Sequence, residues 1–333
     1  MISAQFTQEA DLKGKLPKQV SQLWQRGVFS SFSGISGAKI HYAAILQDNS
    51  AAPCLVIVPG RSESYLKYQE LSFDLYSQGY HIFIIDHRGQ GLSERLLNNG
   101  HKGYVASFQD YVDDLAQFIE NIVQPHCTAK PYILAHSMGG AIATRYLQQH
   151  STTIKAAVIS SPMLGFNAGI IPHFFVKGLI DGQIKLNRLF NQEPWYFLGQ
   201  SNYSAIDFSR NKLSHSKNRY QIFSELYQKN QTIQLGGVTG HWLAESLLAQ
   251  QKIFQNLAKL ETPILLLQAG SDSIVCQQAQ DDFCQQLHNL KPMSCPNGQP
   301  FTISNAYHEL FFEIDAYRTP ALEQTLAWFH RHK

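Results

Sequence analysis

The sequence predicts an α/β protein with a mostly parallel central sheet. Short apolar runs, each bounded by glycine, proline or polar residues, alternate with segments of helical periodicity over the first half of the chain. Such runs are typical of strands that are buried on both faces, and their alternation with helices indicates βαβ units. The alternation stops after Ser161 and resumes near Gly240, which predicts an insertion within one α/β core.

The individual elements follow from these patterns. Two opening strands are predicted over residues 29–33 and 39–46, as a hairpin. The later strands are predicted over residues 54–58, 81–86, 132–135, 156–160, 264–269 and 301–303. Helices are predicted over residues 65–77, 108–122, 138–150, 250–257, 279–290 and 320–329.

The insertion, residues 162–239, is predicted to be a helical cap on a core formed by residues 1–161 and 240–333. It contains no clear strand, several glycines and many aromatic residues. In open α/β sheets ligands bind at the carboxyl edge of the strands, so we expect the cap to cover that edge.

Part of the cap has an amphipathic pattern. Apolar and charged residues fall on opposite sides of a predicted helix within residues 172–190. The apolar side comprises Ile171, Phe174, Phe175 and Leu179, and the charged side comprises Lys177, Asp181, Lys185 and Arg188. This pattern is consistent with peripheral contact with an anionic membrane, or with a helix that only covers a pocket.

Composition and charge exclude several other classes of protein. The 333 residues are 44% hydrophobic and 16% charged, as in globular proteins, and the net charge of +2 argues against nucleic acid as a partner. Five cysteines without C-x-x-C spacing argue against a disulfide framework or a zinc site. Residues 1–18 lack the pattern of a secretory signal and no apolar run is long enough to span a bilayer. We therefore expect the protein in the cytoplasm or on the cytoplasmic face of the inner membrane, and the sequence does not predict an oligomeric state.

A serine between a strand and a helix is the decisive motif. Ser137 follows the apolar run 132–135 and His136, and a helical pattern begins at Met138. Small residues at Ala135 and Gly139 let strand and helix approach closely around a strained turn that exposes the serine. This A-x-S-x-G pattern predicts Ser137 as a nucleophile, whereas the alternative is a serine that only caps the helix.

Asp272 and His308 are the predicted partners of Ser137. In proteins with this motif the chain order is serine, acid, histidine, and the acid follows a late strand. Asp272 follows the strand predicted over residues 264–269, and His308 follows the last predicted strand. The imidazole would accept the serine proton and the acid would fix its tautomer. Glu309 is a weaker candidate for the acid.

The turn after the third predicted strand, residues 59–64, is predicted to hold an oxyanion. The backbone N–H groups of Arg61 and Met138 are the expected donors, since one donor follows the nucleophile and the other lies in this turn. Gly60 would allow the backbone to approach the substrate closely. No metal and no organic cofactor is expected for this chemistry.

Several segments together resemble the bacterial lysophospholipase family of the L-two type, which is close to the monoacylglycerol lipases. They are residues 59–65, 85–91, 111–115, 134–141 and 306–309, within a resemblance that spans about residues 29–332. Monoacylglycerol lipases usually have His-Gly where this chain has Pro59-Gly60-Arg61, which favours the lysophospholipase side. The resemblance implies the α/β-hydrolase fold and a serine esterase.

The cap segments 213–216 and 236–242 also resemble this family. On that basis Trp242 is expected to border an acyl pocket, or else to be a core aromatic residue under the cap. The Arg61 side chain could recognise the phosphodiester of a lysophospholipid, because a guanidinium binds phosphate in a bidentate manner. A salt bridge to Glu63 or to an acid of the cap is the alternative.

The predicted function is hydrolysis of the acyl ester of a single-chain lipid, foremost a lysophospholipid, through an acyl-enzyme. Monoacylglycerol hydrolysis and lysophospholipid transacylation are the alternative reactions, because they use the same intermediate. The alternative outside catalysis is a lipid-binding protein on a hydrolase scaffold.

Overall fold

The computed structural model describes residues 5–14, 16–167, 173–190 and 193–333, and within residues 173–177 the backbone alone. The strands are β1 (Val28–Ser33), β2 (Lys39–Ile45), β3 (Cys54–Val58), β4 (His81–Ile85), β5 (Tyr132–His136), β6 (Ala157–Ser160), β7 (Ile264–Ala269) and β8 (Phe301–Ile303). The α-helices are α1 (Leu16–Gln25), α2 (Gln69–Ser77), α3 (Phe108–Phe118), α4 (Met138–Gln149), α5 (His173–Leu189), α6 (Lys217–Lys229), α7 (Gly240–Gln255), α8 (Gln277–Leu290) and α9 (Asp315–Arg331).

The eight strands form one sheet in the order β1-β2-β4-β3-β5-β6-β7-β8. The hairpin of β1 and β2 pairs antiparallel with β4, and all pairs from β4 to β8 are parallel. The prediction of a mostly parallel sheet is therefore confirmed. Since parallel strands all end at one edge, the loops that follow β3, β5, β7 and β8 meet there.

Helices cover both faces of this sheet, which explains why its inner strands are apolar throughout. All five residues of β3 are buried. Leu55 and Ile57 pack in a cluster that includes residues of α2 and α9. Val56 and Val58 pack in the opposite cluster with residues of α3, α4, α7 and α8. Alternate side chains of a strand point to opposite faces, so each face requires apolar residues.

Among the helices, three differences from the sequence prediction have a clear local cause. Helix α1 was not predicted, because only Leu16 and Leu23 of its residues are buried. Helix α7 begins ten residues earlier than predicted, where Thr239 caps it by accepting a hydrogen bond from the Trp242 N–H. Helix α9 begins five residues before Pro320. A proline near the start of a helix removes one backbone hydrogen bond there without ending the helix.

Between β6 and β7 the chain contributes α5, α6 and α7, and the described residues of 162–239 contain no strand longer than a single bridge. Two bridges, Gly103 with Val238 and Phe166 with Val275, join this segment to the core, and a third, Tyr196 with Thr239, lies within it. In the part of the chain that the structure describes, no helix combines the length and the apolar character needed to cross a membrane.

Candidate active site

Ser137 lies in the strained turn that its motif predicts. Its backbone has φ 53° and ψ −117°, between the end of β5 and the start of α4. Such a conformation costs about 1–3 kcal/mol and persists where the surroundings hold it. Here the Ser137 N–H donates to the Ser160 carbonyl (3.0 Å), and its own carbonyl accepts from the Met163 N–H (2.9 Å).

The glycine two residues after Ser137 is required by close packing. A Cβ atom at Gly139 would lie 2.1 Å from the Val58 carbonyl oxygen and 2.4 Å from that of Pro59. Helix α4 therefore approaches the end of β3 so closely that no side chain fits. On the other side of Ser137, Ala135 is fully buried and occupies the position at which glycine is usual.

The structure brings the other two predicted residues to Ser137. His308 Nε2 lies 2.9 Å from Ser137 Oγ, and His308 Nδ1 lies 2.7 Å from Asp272 Oδ2. The three side chains come from the loops after β5, β7 and β8, which meet at the carboxyl edge of the sheet. All three residues are buried. This geometry allows the imidazole to take the serine proton while the carboxylate holds the Nδ1–H tautomer.

Asp272 is held in its ionised form. Burial opposes ionisation, but hydrogen bonds to His308 and from the backbone N–H groups of Ile274 (2.7 Å) and Val275 (3.2 Å) outweigh it and lower the pKa of Asp272. Glu309, the weaker candidate for the acid, pairs instead with Lys67 at 2.6 Å.

The turn after β3 lies against the nucleophile. A Cβ atom at Gly60 would lie 3.2 Å from Ser137 Cβ, so the turn passes close to the serine and leaves little room for a side chain at residue 60. Gln90 Nε2 donates to the carbonyls of Gly60 (2.7 Å) and Glu63 (3.0 Å), and Gln90 Oε1 accepts from the Ser62 N–H (3.2 Å). One amide side chain therefore fixes both ends of the turn.

The backbone N–H groups of Arg61 and Met138 are free to bind a substrate oxygen. Within the described part of the chain, neither donates a hydrogen bond to another group of the protein. Met138 is the first residue of α4, and the first N–H groups of a helix have no intrahelical acceptor. The helix dipole adds a partial positive charge at the same point. Both groups therefore remain the predicted oxyanion donors.

Residues 86–91, which have the pattern Asp-x-Arg-Gly-x-Gly, position Gln90 and take no part in the contacts of Ser137. Asp86 accepts hydrogen bonds from Tyr65 N (2.5 Å), Leu92 N (2.7 Å) and Ser64 Oγ (3.0 Å), although burial raises the pKa of Asp86 to about 7. Arg88 forms a bidentate ion pair with Asp114, at 2.6 and 2.7 Å. These interactions shape the loop after β4.

The Arg61 guanidinium is close to the site and has no carboxylate partner among the described residues. Its Nη1 donates to the Gly236 carbonyl (2.9 Å), and its Cζ lies 5.8 Å from the centre of the Trp242 ring. Burial lowers the pKa of Arg61 to about 10, which leaves it charged at neutral pH. The predicted alternative of a salt bridge to Glu63 is wrong, because Glu63 pairs with Lys67.

Trp242 is buried in the large core cluster on one face of the sheet. Its Nε1–H donates to the Tyr111 hydroxyl (3.3 Å), and its ring lies 6.3 Å from that of Phe166. It is thus a core aromatic residue that also contacts Arg61. Its place beside an acyl chain remains a prediction.

The sequence analysis missed a buried ion cluster behind His308. The Lys67 ammonium lies 2.7 Å from Glu63 and 2.6 Å from Glu309, and Glu63 Oε2 also accepts from the Gly60 N–H (2.5 Å). The available signals were the four-residue spacing of Glu63, in the predicted turn, and Lys67, in the helix predicted after it, and the position of Glu309 beside His308.

His136 completes this cluster, and its ring lies 4.8 Å from that of His308. Burial lowers the pKa of His136 to about 3, so it is neutral. Glu63, His136 and Glu309 are close enough to one another to share a metal ion. The Lys67 ammonium already lies between the two carboxylates, however, and supplies the positive charge that a metal would bring.

The fold and the arrangement of Ser137, His308 and Asp272 are those of an α/β-hydrolase, and comparison with known families agrees. A family model described as "Serine aminopeptidase, S33" matches residues 49–315, so the chain belongs to that family of hydrolases. Solved structures show the same α/β-hydrolase fold. A monoglyceride lipase of Saccharomyces cerevisiae has a TM-score of 0.66 at 17% identity, over 92% of this chain and 97% of the other.

Among curated proteins, the chain is similar to lysophospholipase L2 of Escherichia coli K12. The two are 38% identical over 313 residues, which cover 94% of this chain and 90% of the relative. The probable lysophospholipase L2 of Haemophilus influenzae is 35% identical over 87% and 88% of the two chains. Mouse monoglyceride lipase is 24% identical over 81% and 79%. The predicted resemblance is confirmed, and the protein is a carboxylic ester hydrolase that acts on lipid esters.

Proposed function

We propose that the protein hydrolyses the acyl ester of a lysophospholipid, with Ser137 as nucleophile, His308 as general base and Asp272 as the acid that orients it. The observation that carries this proposal is the hydrogen-bonded series Ser137 Oγ, His308 Nε2 and Nδ1, and Asp272 Oδ2, at distances of 2.9 and 2.7 Å. The series begins at a strained residue at the carboxyl edge of the sheet.

In the proposed reaction Ser137 Oγ attacks the ester carbonyl carbon as its proton moves to His308 Nε2. The N–H groups of Arg61 and Met138 stabilise the oxyanion of the tetrahedral intermediate. The carbon–oxygen bond to the headgroup then breaks, and His308 returns the proton to the leaving alcohol. Water, activated by His308, attacks the acyl-enzyme and releases the fatty acid. No step requires a metal or cofactor.

A labelling experiment tests the nucleophile and the base. Ser137→Ala and His308→Ala should each lower kcat by several orders of magnitude, and the double variant should be little worse than either one, because the residues act as a unit. A fluorophosphonate probe should label Ser137 in the wild-type protein. Full labelling of folded Ser137→Ala would show that another residue is the nucleophile.

The unpaired charge of Arg61 supports a lysophospholipid over a monoacylglycerol. Assays of two variants on both substrates test this. Arg61→Gln keeps the backbone N–H and removes the side-chain charge. The control, Arg26→Gln, makes the same substitution at an exposed arginine that pairs with Asp48. We expect kcat/KM of Arg61→Gln to fall about tenfold or more for a lysophospholipid, the scale of a lost charge-assisted hydrogen bond, and little for a monoacylglycerol. Arg26→Gln should change neither.

Equal losses on both substrates in Arg61→Gln would instead assign Arg61 to the shape of the turn after β3. The same assays, followed for diacyl product as well as free fatty acid, distinguish hydrolysis from transacylation. We further propose that residues 162–239 form a cap over the site and that the protein works in the cytoplasm or at the cytoplasmic face of the inner membrane. The five cysteines are free thiols, which supports a reducing compartment.

A further inference from the structure

A second cleft lies behind the candidate active site, between α1, α6 and the segment that leads into α2. Its volume is about 360 Å³, within the range of about 300–1,000 Å³ that small-molecule sites occupy. Its walls are mainly apolar side chains, namely Leu12, Leu16, Pro17, Val20, Leu66, Ile222, Phe223, Leu226 and Phe312. Neither Ser137 nor Arg61 lines it, so it is separate from the site of the proposed chemistry.

The charged groups that line the cleft are already neutralised within the protein. Lys67 and Glu309 form its inner end and pair with each other at 2.6 Å. Nearer the outside, Arg219 pairs with Glu70 (2.9 Å), and Lys229 pairs with Glu225 (3.7 Å). A polar ligand would have to displace one of these partners, whereas an apolar chain would gain burial without breaking an ion pair.

We propose that this cleft is an accessory binding site for the acyl chain of a single-chain amphiphile, such as a fatty acid. A protein helix is about 10–12 Å thick and does not fit a cleft of this volume, whereas a flexible hydrocarbon chain does. Ile222, which is 51% exposed, forms part of its rim, so a polar headgroup can remain in water. The lipid esters that this enzyme class hydrolyses provide such chains as substrate and as product.

The inner end of the cleft is linked to the candidate active site through Lys67 and Glu63. The Lys67 ammonium lies over the rings of Phe312 (4.4 Å) and Phe223 (4.7 Å), both of which line the cleft. On its other side Lys67 binds Glu63, which accepts a hydrogen bond from the Gly60 N–H in the turn beside Ser137. A bound chain would therefore contact the groups that hold this turn.

The experiment separates the cleft from the catalytic site by blocking the latter. The full-length protein is first labelled to completion with a hexadecyl fluorophosphonate, and the labelled residue is located by mass spectrometry. The labelled protein is then titrated with cis-parinaric acid, a fluorescent fatty acid. We expect saturable binding of one probe per chain. A label on a residue other than Ser137 would contradict the proposed function without affecting the titration.

Two substitutions introduce tryptophan into opposite walls of the cleft, and a third introduces tryptophan outside the cleft as a control. Leu226→Trp on α6 and Val20→Trp on α1 should each weaken binding of the probe at least tenfold, since a large ring then occupies the space of the chain. Leu290→Trp, at an exposed leucine at the end of α8, is the matched control and should bind as wild type. Circular dichroism checks that each variant is folded.

Three outcomes would overturn the accessory site. They are no saturable binding to the labelled protein, unchanged binding in both cleft variants, and equal weakening in Leu290→Trp. Hydrolysis of a soluble short-chain ester, measured on the unlabelled variants, should remain near that of wild type, because the cleft residues do not contact Ser137.

Discussion

At the scale of single residues, the turn beside Ser137 depends on a buried carboxylate. Glu63 binds the Gly60 N–H, the Tyr68 hydroxyl and the Lys67 ammonium. Burial alone would raise its pKa, but the charge of Lys67 and the hydrogen bonds from Lys67 and Tyr68 lower the pKa of Glu63 to about 2. The ionised form is therefore the one that the native structure stabilises.

This shift makes the stability of the protein depend on pH in a predictable direction. An unfolded glutamate has a pKa of about 4.3, so between about pH 4.3 and 2 the unfolded chain binds a proton at Glu63 that the native state does not. The contribution of Glu63 is complete above this window and is lost as the pH falls through it. At neutral pH, Glu63→Gln should lower the free energy of unfolding by about 3 kcal/mol, because a buried ion pair loses one partner.

Denaturant titrations at several pH values between 7 and 3 would measure this effect. The difference between wild type and Glu63→Gln should shrink as the pH falls below about 4.5. Glu225→Gln removes a carboxylate from the exposed pair with Lys229 and should change stability by about 0–1 kcal/mol at every pH. A difference for Glu63→Gln that stays constant down to pH 3 would contradict the shifted pKa.

At the scale of elements, α5 exposes apolar side chains, and Leu179 is the one residue of the predicted apolar side whose side chain is described. Ile171 lies outside the described residues, as do the side chains of Phe174, Phe175 and Lys177. The described part of α5 and the residue after it expose Leu179 (53%), Leu186 (48%), Leu189 (80%) and Phe190 (57%). Lys185 and Arg188 lie among them, so the helix combines apolar side chains with cations.

Such a helix is suited to the surface of an anionic membrane. We expect the double substitution of Leu186 and Leu189 by serine to reduce sedimentation with anionic vesicles, and added salt to weaken binding of the wild-type protein. Activity on a soluble short-chain ester should be retained, since neither residue lies in the site.

Leu290 and Met293 provide the matched control for this prediction, because they are 51% and 65% exposed near the end of α8, remote in sequence from α5. Their replacement by serine should leave vesicle binding unchanged. If both double variants lose binding equally, general exposed apolar surface accounts for association and α5 has no special part in it.

At the scale of the whole molecule, one buried arginine joins distant parts of the chain. Arg318 in α9 pairs with Asp74 in α2 and donates to the carbonyl of Thr7 (3.1 Å). Thr7 in turn donates its N–H to Asp74 (2.8 Å). Arg219 of α6 extends the network through its pair with Asp315, the first residue of α9 (2.9 Å). The start of the chain, the core helices and α6 are thus held together.

Removing this arginine should destabilise the fold without changing the chemistry. Arg318→Met leaves Asp74 as a buried carboxylate without its partner, which costs about 3–5 kcal/mol in the free energy of unfolding. The rate of ester hydrolysis per fluorophosphonate-reactive site should equal that of wild type. Arg26→Met, at an arginine in an exposed pair, should cost little. A loss below about 1 kcal/mol for Arg318→Met would mean that the network contributes little to stability.

The amino-acid sequence by itself determined the local elements and the three residues of the proposed triad. The pattern of apolar residues indicates which segments are buried, so the uniformly apolar strands could be predicted, and small residues around Ser137 indicated a close turn. Chain order alone identified Asp272 and His308. These features are local, or follow from the rule that parallel strands end at one edge of a sheet.

Only the tertiary structure decided what the buried charges do. The partners of Arg61 and Arg318 come from segments far from them in the chain, as does Glu309, which shares Lys67 with Glu63. From sequence alone a charged residue is expected to be exposed, because its buried partner is not apparent. The pairing of Glu309 with Lys67 excluded it from the acid role, and the cleft between α1 and α6 exists because two helices about 200 residues apart meet. Contacts between residues that are distant in sequence leave no local pattern in it. Their energy depends on distances between side chains that are fixed only when the chain folds.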